Sequence, residues 1–202
     1  FNVNAIPVSM GPIVDDLGVS ATAVGTALVV YSLFVAGFVM LGAKIGKIVG
    51  ERLVFQVTVL LHGAAMLLMA FATSAEMMNI AQAGAGLAAA LLVPSLVVLI
   101  AANYRGSQQS QALGVLAGSS ALAGALAFFI AGALGTLLSW RVSFGILAVV
   151  SVVAFVLSFR LKPVPRQRGI QLDLVGVVLS ALAVALIMLG FNNLNAWGLL
   201  VG

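Results

Sequence analysis

The chain has 202 residues, 63% of them hydrophobic and only 7% charged, with a formal net charge of +4. A water-soluble fold carries about a quarter charged residues, so nine Lys/Arg and five Asp/Glu exclude a polar skin and leave lipid as the solvent for most of the surface. The basic balance does not indicate nucleic acid, because no dense Lys/Arg run is interleaved with aromatics, and the lack of cysteine removes disulfides and thiolate metal sites.

An apolar run of about 20 residues crosses a bilayer as a helix, since lipid offers the backbone no hydrogen-bonding partner. The runs here are too long and too unbroken for the alternating ~10-residue strands of a membrane barrel. In chain order they predict a stub over 1–15 and whole spans over 21–43, 53–74, 77–103, 108–138, 142–159 and 172–191. Between them lie DDLGVS, KIGKIVGER, TSAE, YRGSQQSQ, SWR and RLKPVPRQRG. The last holds two prolines and four cations and reads as a solvated, non-helical linker. The expected class is an all-α polytopic membrane bundle. Its expected division is a six-helix unit over 1–160 with an incomplete first helix, a basic linker over 161–171, and one further transmembrane helix with its outer end over 172–202. The chain opens on Phe1 and closes on the apolar run WGLLVG, which gives the expectation of a piece of a longer protein.

Charge sorts the connections. One set carries Lys44, Lys47, Arg52, Arg105, Arg160, Lys162, Arg166 and Arg168; the other carries Asp15, Asp16, Glu76 and the single cation Arg141. The positive-inside rule puts the first set in the cytoplasm, so the missing start of the stub is expected there too. The densest charge, in GAKIGKIVGERLVF (42–55), is then a cytoplasmic turn. Lys44 and Lys47 fall near the end of one helix and Glu51 in the first turn of the next, both placements that suit the helix dipoles.

Several stretches, in the right order, resemble the major facilitator superfamily, and more specifically its 14-helix drug:proton antiporter branch. AIPVSMGPIVDDLGVS resembles the end of that family's first helix, and Tyr31 sits where the second carries a tyrosine. AKIGKIVGERLVF (43–55) resembles its GxLGDxxGRRRVF turn, with Gly46, Gly50, Val54 and Phe55 matching. AALLVPS (89–95), LLSWRVSF (137–144) and LDLVGVVL with NNLNAWG resemble segments of its fourth, fifth-to-sixth and seventh helices. The resemblance implies two inverted three-helix repeats followed by the first of two extra helices. It also implies a second six-helix half of the same chain and alternating access around a small-molecule site near the midplane, as such folds bind ligands. It makes the bilayer a partner, and the bacterial inner membrane the expected location. The turn residues Gly46, Lys47, Gly50, Glu51 and Arg52 become a candidate cytoplasmic gate.

The chain also departs from that pattern. Lys47 and Glu51 stand where the family has Asp and Arg, so the signs are exchanged; a reversed pair can gate against reversed partners or can simply complement helix ends. Gln82 stands where the fourth helix carries a coupling Arg, and an amide holds no charge. It can line the cavity, with Tyr31, or bond a neighbouring helix. The antiporter Gly-Pro and Gly-Gly of the fifth helix fall at Ala127–Phe128 and Ala131–Gly132. What remains there is a small-residue stripe, Gly114, Gly118, Ala121 and Ala125, whose expected role is helix packing. His62 is the ionisable residue deep in a span, a candidate for proton coupling or a group that bonds a neighbouring helix.

No catalytic constellation is visible. One His and no Cys give no zinc set, and no phosphate-binding loop is present; neither an enzyme nor a cofactor is expected. The leading expectation is a secondary multidrug transporter exporting lipophilic or amphiphilic molecules. The alternatives are a transport-inactive homologue serving as an accessory subunit of a membrane complex, and an uncoupled uniporter or lipid flippase.

Overall fold

The computed structural model describes residues 2–166 and 174–192. Among these residues there are eight helices and no strand: α1 (Asn2–Val8), α2 (Met10–Leu17), α3 (Ala21–Val49), α4 (Glu51–Ala70), α5 (Ala75–Asn103), α6 (Ser107–Leu137), α7 (Trp140–Ser158) and α8 (Leu174–Asn192). Five of them, α3 to α7, are long and apolar enough to cross a membrane; the described apolar stretch of α8, Val175–Ile187, is shorter. The chain is thus an all-helical integral membrane bundle.

The two ends of the bundle start their helices differently. At the end rich in Asp and Glu, serine caps do the work. Ser20 accepts from the Ala23 N–H at 3.1 Å, Ser74 from Met77 at 3.3 Å and Ser139 from Arg141 at 3.3 Å, each satisfying a donor the first turn would leave orphaned. At the basic end, α4 and α6 begin after Gly50 and Gly106, with φ of +111° and +56° and no side-chain cap.

Two expected boundaries change. The span expected to run to residue 74 is helical only to Ala70. The first whole span does not end at residue 43; α3 continues through Lys44 and Lys47 to Val49, and Gly50 alone makes the reversal into α4. The lysines do not stop the helix because their aliphatic stems carry the ammonium groups past the hydrocarbon edge. Only glycine takes the Gly50 conformation without steric cost. The stub is divided at Ser9 into α1 and α2, next to Pro12, which supplies no N–H to the helical ladder. Residues 162–166 form no helix. The remainder of the expected linker and the outer end beyond Asn192 lie outside the described residues.

Helix α3 packs chiefly along α5, α4 lies against both α5 and α7, α8 covers part of α3, and α1 meets α6. The main core joins Ile6, Ile13, Val24, Met66, Met69, Met78, Trp140 and Phe144 toward the acidic end, and a smaller cluster of Phe55, Val59 and Leu99 lies toward the basic end. Backbones approach closely where glycine leaves room. A Cβ on Gly86 of α5 would lie 2.9 Å from Phe34 Cβ and closer still to the Tyr31 carbonyl oxygen, and one on Gly42 of α3 would lie 2.8 Å from Leu91 Cα. Without side chains at these points α3 and α5 can sit backbone to backbone.

Candidate functional site

At the centre of the site Gln82 of α5 is fully buried and faces Asn2 of α1, itself 6% exposed. Asn2 Nδ2 donates to Gln82 Oε1 at 2.8 Å, and Gln82 Nε2 approaches Asn2 Oδ1 at 3.5 Å. In hydrocarbon an unpaired amide is costly, so the two amides fix the register of α1 on α5. Neither group titrates. The pair can therefore exchange hydrogen bonds with a ligand but cannot carry a proton. Asn79 Oδ1, one turn before Gln82 on α5, and Ser9 Oγ, between α1 and α2, are buried without a hydrogen-bond partner, and Asn4 Nδ2 lies 3.0 Å from where a Gly124 Cβ would be, against α6. Tyr31 is half-buried on α3, its backbone carbonyl pressed on Gly86 of α5, one turn beyond Gln82. Of these groups the sequence reading picks out only Gln82 and Tyr31. Asn2, Asn4 and Asn79 go unnoticed, although amides inside apolar runs are a readable signal.

His62 is elsewhere, on the seam between α4 and α7. Its Nδ1 lies 3.1 Å from Ser151 Oγ, and that hydroxyl donates to the Leu147 carbonyl at 2.9 Å. With the serine proton committed, Ser151 can only accept, so His62 is the donor through Nδ1–H and its Nε2 is left as the acceptor. Gly63 makes the seam possible: a Cβ there would meet Ser151 Cβ at 3.0 Å.

At the basic end, Glu51 folds back over the turn and its carboxylate covers Gly46. A side chain at Gly46 would fall 2.5 Å from Glu51 Cδ. Glu51 is only 2% exposed, and its carboxylate lies against the buried Ser95 hydroxyl of α5. Lys47 is exposed, and its charge acts on the Glu51 carboxylate. Arg52 donates to the Phe159 carbonyl at 3.0 Å and lies over the Phe159 ring at 5.9 Å, tying the start of α4 to the end of α7. Glu51 thus packs on Gly46 within the turn, while Arg52 reaches across to α7.

At the other end Arg141, the lone cation of the acidic set, is also placed by its contacts. It pairs with Asp16, donates to the Ala72 carbonyl at 2.8 Å and stacks on Trp140 at 4.4 Å, while Trp140 Nε1 donates to Asp16 Oδ2 at 3.1 Å. Three segments meet there. The Arg141 hydrogen bond holds the Asp16 carboxyl below its ordinary range, against a smaller opposing effect of burial.

Gly114 and Gly118 have open space where a side chain would be, and Ala121 and Ala125 are exposed. Within the described residues this stripe of α6 touches no neighbouring helix closely, and α6 is the least covered of the five long spans. Among the described residues no cluster of His and carboxylates could hold a metal ion.

The comparisons with known proteins agree with this architecture. The chain is 27% identical over 98% of its length to the cephamycin export protein CmcT of Amycolatopsis lactamdurans, covering 42% of that protein. It is 29% identical over 96% to the puromycin resistance protein pur8 of Streptomyces alboniger, covering 39%, and 27% identical over 93% to the quinolone resistance protein NorB of Staphylococcus aureus, covering 39%. The chain therefore spans about two-fifths of the length of these relatives. Among solved structures it superposes on a peptide transporter of the POT type, crystallised as an E310Q mutant with alafosfalin, with a TM-score of 0.67 and 18% identity over 93% of this chain and 44% of that one. The family profile of the Major Facilitator Superfamily matches residues 1–202, and the chain belongs to that superfamily.

Proposed function

We propose that the chain forms the N-terminal half, and the first of two additional helices, of a secondary transporter that exports lipophilic or amphiphilic small molecules by alternating access. The second half of the same polypeptide would close the cavity. The name of CmcT, an export protein, and the resistance to which pur8 and NorB are named support the direction. The observation that carries the reading is the Asn2–Gln82 pair: two uncharged amides, buried between the first and fourth helices of the half, in a wall whose other polar groups, Asn79 among them, are also uncharged. Such a wall suits a large apolar substrate with few polar groups. Gln82 and Tyr31 are its substrate-facing candidates. The turn of Gly46, Lys47, Gly50, Glu51 and Arg52 is its cytoplasmic gate, where Glu51 locks onto Gly46. The stripe of Gly114, Gly118, Ala121 and Ala125 is the packing face toward the second half. Positive charge concentrated at one end supports an N-terminus in the cytoplasm, and the bacterial relatives support the inner membrane.

The experiment is efflux of a fluorescent amphiphile from proteoliposomes bearing the full-length transporter. Export with Gln82→Ala at least tenfold slower, at unchanged protein level, is the expected result. A well-folded protein that moves no amphiphile refutes the reading and leaves the accessory-subunit alternative. A second reading, uncoupled transport, is favoured by one observation: the amide pair stands at the position of the family's coupling Arg and holds no proton. His62 is then the remaining proton-coupling candidate, and a pH-independent rate in wild type would decide for uncoupled movement.

A further inference from the structure

Helix α4 lies against both α5 and α7, and between the ends of those two helices a pocket of about 230 Å³ opens at the basic end of the bundle. That is several times the roughly 30 Å³ share of one water. The end of α5 lines it with Leu96, Leu99, Ile100 and Tyr104, and the turn after α7 lines it with Arg160 and Lys162. Its floor is anchored in the bundle: Leu99 belongs to the small cluster with Phe55 and Val59, and Leu96 and Leu161 pack on that cluster. Its rim is charged. Arg160 and Lys162 are exposed and form no ion pair among the described residues, and the carboxylate of Glu51 is seated on Gly46. Cations at a helix C-terminus can simply answer its dipole, but here carbonyls at both helix ends are already covered. The Tyr104 N–H donates to the Ile100 carbonyl at 2.9 Å and Asn103 Nδ2 to the Leu99 carbonyl at 2.8 Å. The Arg160 and Leu161 N–H groups donate to the Leu157 and Ser158 carbonyls, each at 3.0 Å. Two full charges also outweigh two helix ends of about half a charge each, which leaves roughly one net positive charge at the pocket.

We propose that this pocket seats the headgroup of an anionic phospholipid, with the phosphate at Arg160 and Lys162 and the glycerol end of the lipid on the apolar floor. Charge complementarity selects an anion, and basic pockets between the cytoplasmic ends of transmembrane helices are where anionic headgroups lodge. The floor of Leu96, Leu99 and Ile100 selects a lipid, because a free anion gains nothing from leucine and isoleucine. Tyr104 fixes the depth: it is 46% exposed at the end of its span, the headgroup level at which tyrosines concentrate. One uncompensated cation near such a surface corresponds to about a fivefold preference for a lipid of charge −1 over a zwitterionic one. The inference does not depend on the transport reading, only on the chain lying in a bilayer.

The test places the purified full-length protein in phosphatidylcholine nanodiscs with trace spin-labelled phosphatidylglycerol or phosphatidylcholine and measures motionally restricted lipid. The expected result is about fivefold selectivity for phosphatidylglycerol. It should be abolished by the double variant Arg160→Gln with Lys162→Gln, and retained when the two cations are exchanged as Arg160→Lys with Lys162→Arg. It should also survive Lys44→Gln, which removes a cation at the same end but outside this pocket. Ile100→Trp, which fills the pocket and keeps both cations, should lower the restricted phosphatidylglycerol. Equal affinity for the two lipids, or selectivity that survives loss of both cations, would overturn the proposal. Selectivity untouched by Ile100→Trp would mean attraction to the charged surface without a seat, and displacement of the lipid by millimolar inorganic phosphate would mean a free-anion site; either result also overturns it.

Discussion

Gly42→Ala tests how α3 and α5 meet. The added methyl would lie 2.8 Å from Leu91 Cα and 3.0 Å from the Ala90 carbonyl carbon, and nearer still to its oxygen. Carbon atoms rest about 3.5–4.0 Å apart, so the helices would have to separate by roughly 0.7 Å. Every colliding atom is backbone, and no rotamer change relieves the contact. Pro94 adds a second effect. It has no N–H to give the Ala90 carbonyl one turn back, and the Gly42 Cα–H faces that carbonyl, a weak hydrogen bond of about 0.5–1 kcal/mol. Overpacking costs about 1–3 kcal/mol, and a backbone clash belongs at the upper end, so the loss is ~3 kcal/mol. At about 2–4 °C per kcal/mol for a chain of this size, Tm should fall by roughly 6–12 °C. Thermal unfolding followed by tryptophan fluorescence in detergent reads this directly. Two controls carry the same chemical change. Gly84→Ala meets Ala65 Cβ at an ordinary 3.5 Å, and Gly114→Ala meets open space; each should move Tm by about 1 °C or less. A Gly42→Ala protein as stable as wild type, or an equal drop in Gly114→Ala, would refute the close-packing argument.

Replacing Gln82 or Asn2 by Leu leaves the other amide buried and alone, at a cost of about 1–3 kcal/mol each, whereas the double replacement should cost less than the sum, by ~0.6 kcal/mol or more; strict additivity in a double-mutant cycle would contradict the pairing. Asp16 is held more acidic in the folded state than in the unfolded one, so its pair with Arg141 stabilises the fold above about pH 4 and loses that contribution as pH falls through the lowered value. Asp16→Asn should therefore lower Tm at neutral pH and converge with wild type once the pH is below the lowered value, and a gap that does not narrow as the pH falls would argue against the pair. Gly46→Ala should expel the Glu51 carboxylate from its seat and change the rate of amphiphile export far more than expression; unchanged export would remove Glu51 from the gate. If His62 couples protons, His62→Gln flattens the pH dependence of transport, and an unaltered profile excludes it.

The spans, their order and the two differently charged ends are legible in the sequence because each is a sum over about 20 residues, which no single contact can override. Contacts are another matter, since they depend on which face of one helix meets which face of another. The stripe Gly114–Gly118 has the spacing of a packing motif, yet close approaches in the described residues occur at Gly42, Gly46, Gly63 and Gly86, where the opposing surface is backbone, a folded-back side chain or, at Gly63, the Ser151 side chain of α7. Glu51 reads as a headgroup-facing charge at a helix start. It is buried because Gly46, five residues earlier across a one-residue turn, leaves a space for its carboxylate. Ser151 reads as one more small residue in an apolar run, and only the fold brings it to His62. Arg141 is the exception that sequence could have resolved: a lone cation at an acidic end asks for a carboxylate partner, and Asp16 is there.

The account rests on a bundle whose basic end faces the cytoplasm. The chain has no native cysteine, so a thiol introduced at Asp15, Lys47 or Arg166 is unique within it. Labelling with a membrane-impermeant maleimide in right-side-out and inverted vesicles measures sidedness. The account predicts that Lys47→Cys and Arg166→Cys react only from the inner face and Asp15→Cys only from the outer face. Lys47→Cys and Arg166→Cys reacting from opposite faces, or Asp15→Cys and Lys47→Cys from the same one, would contradict it.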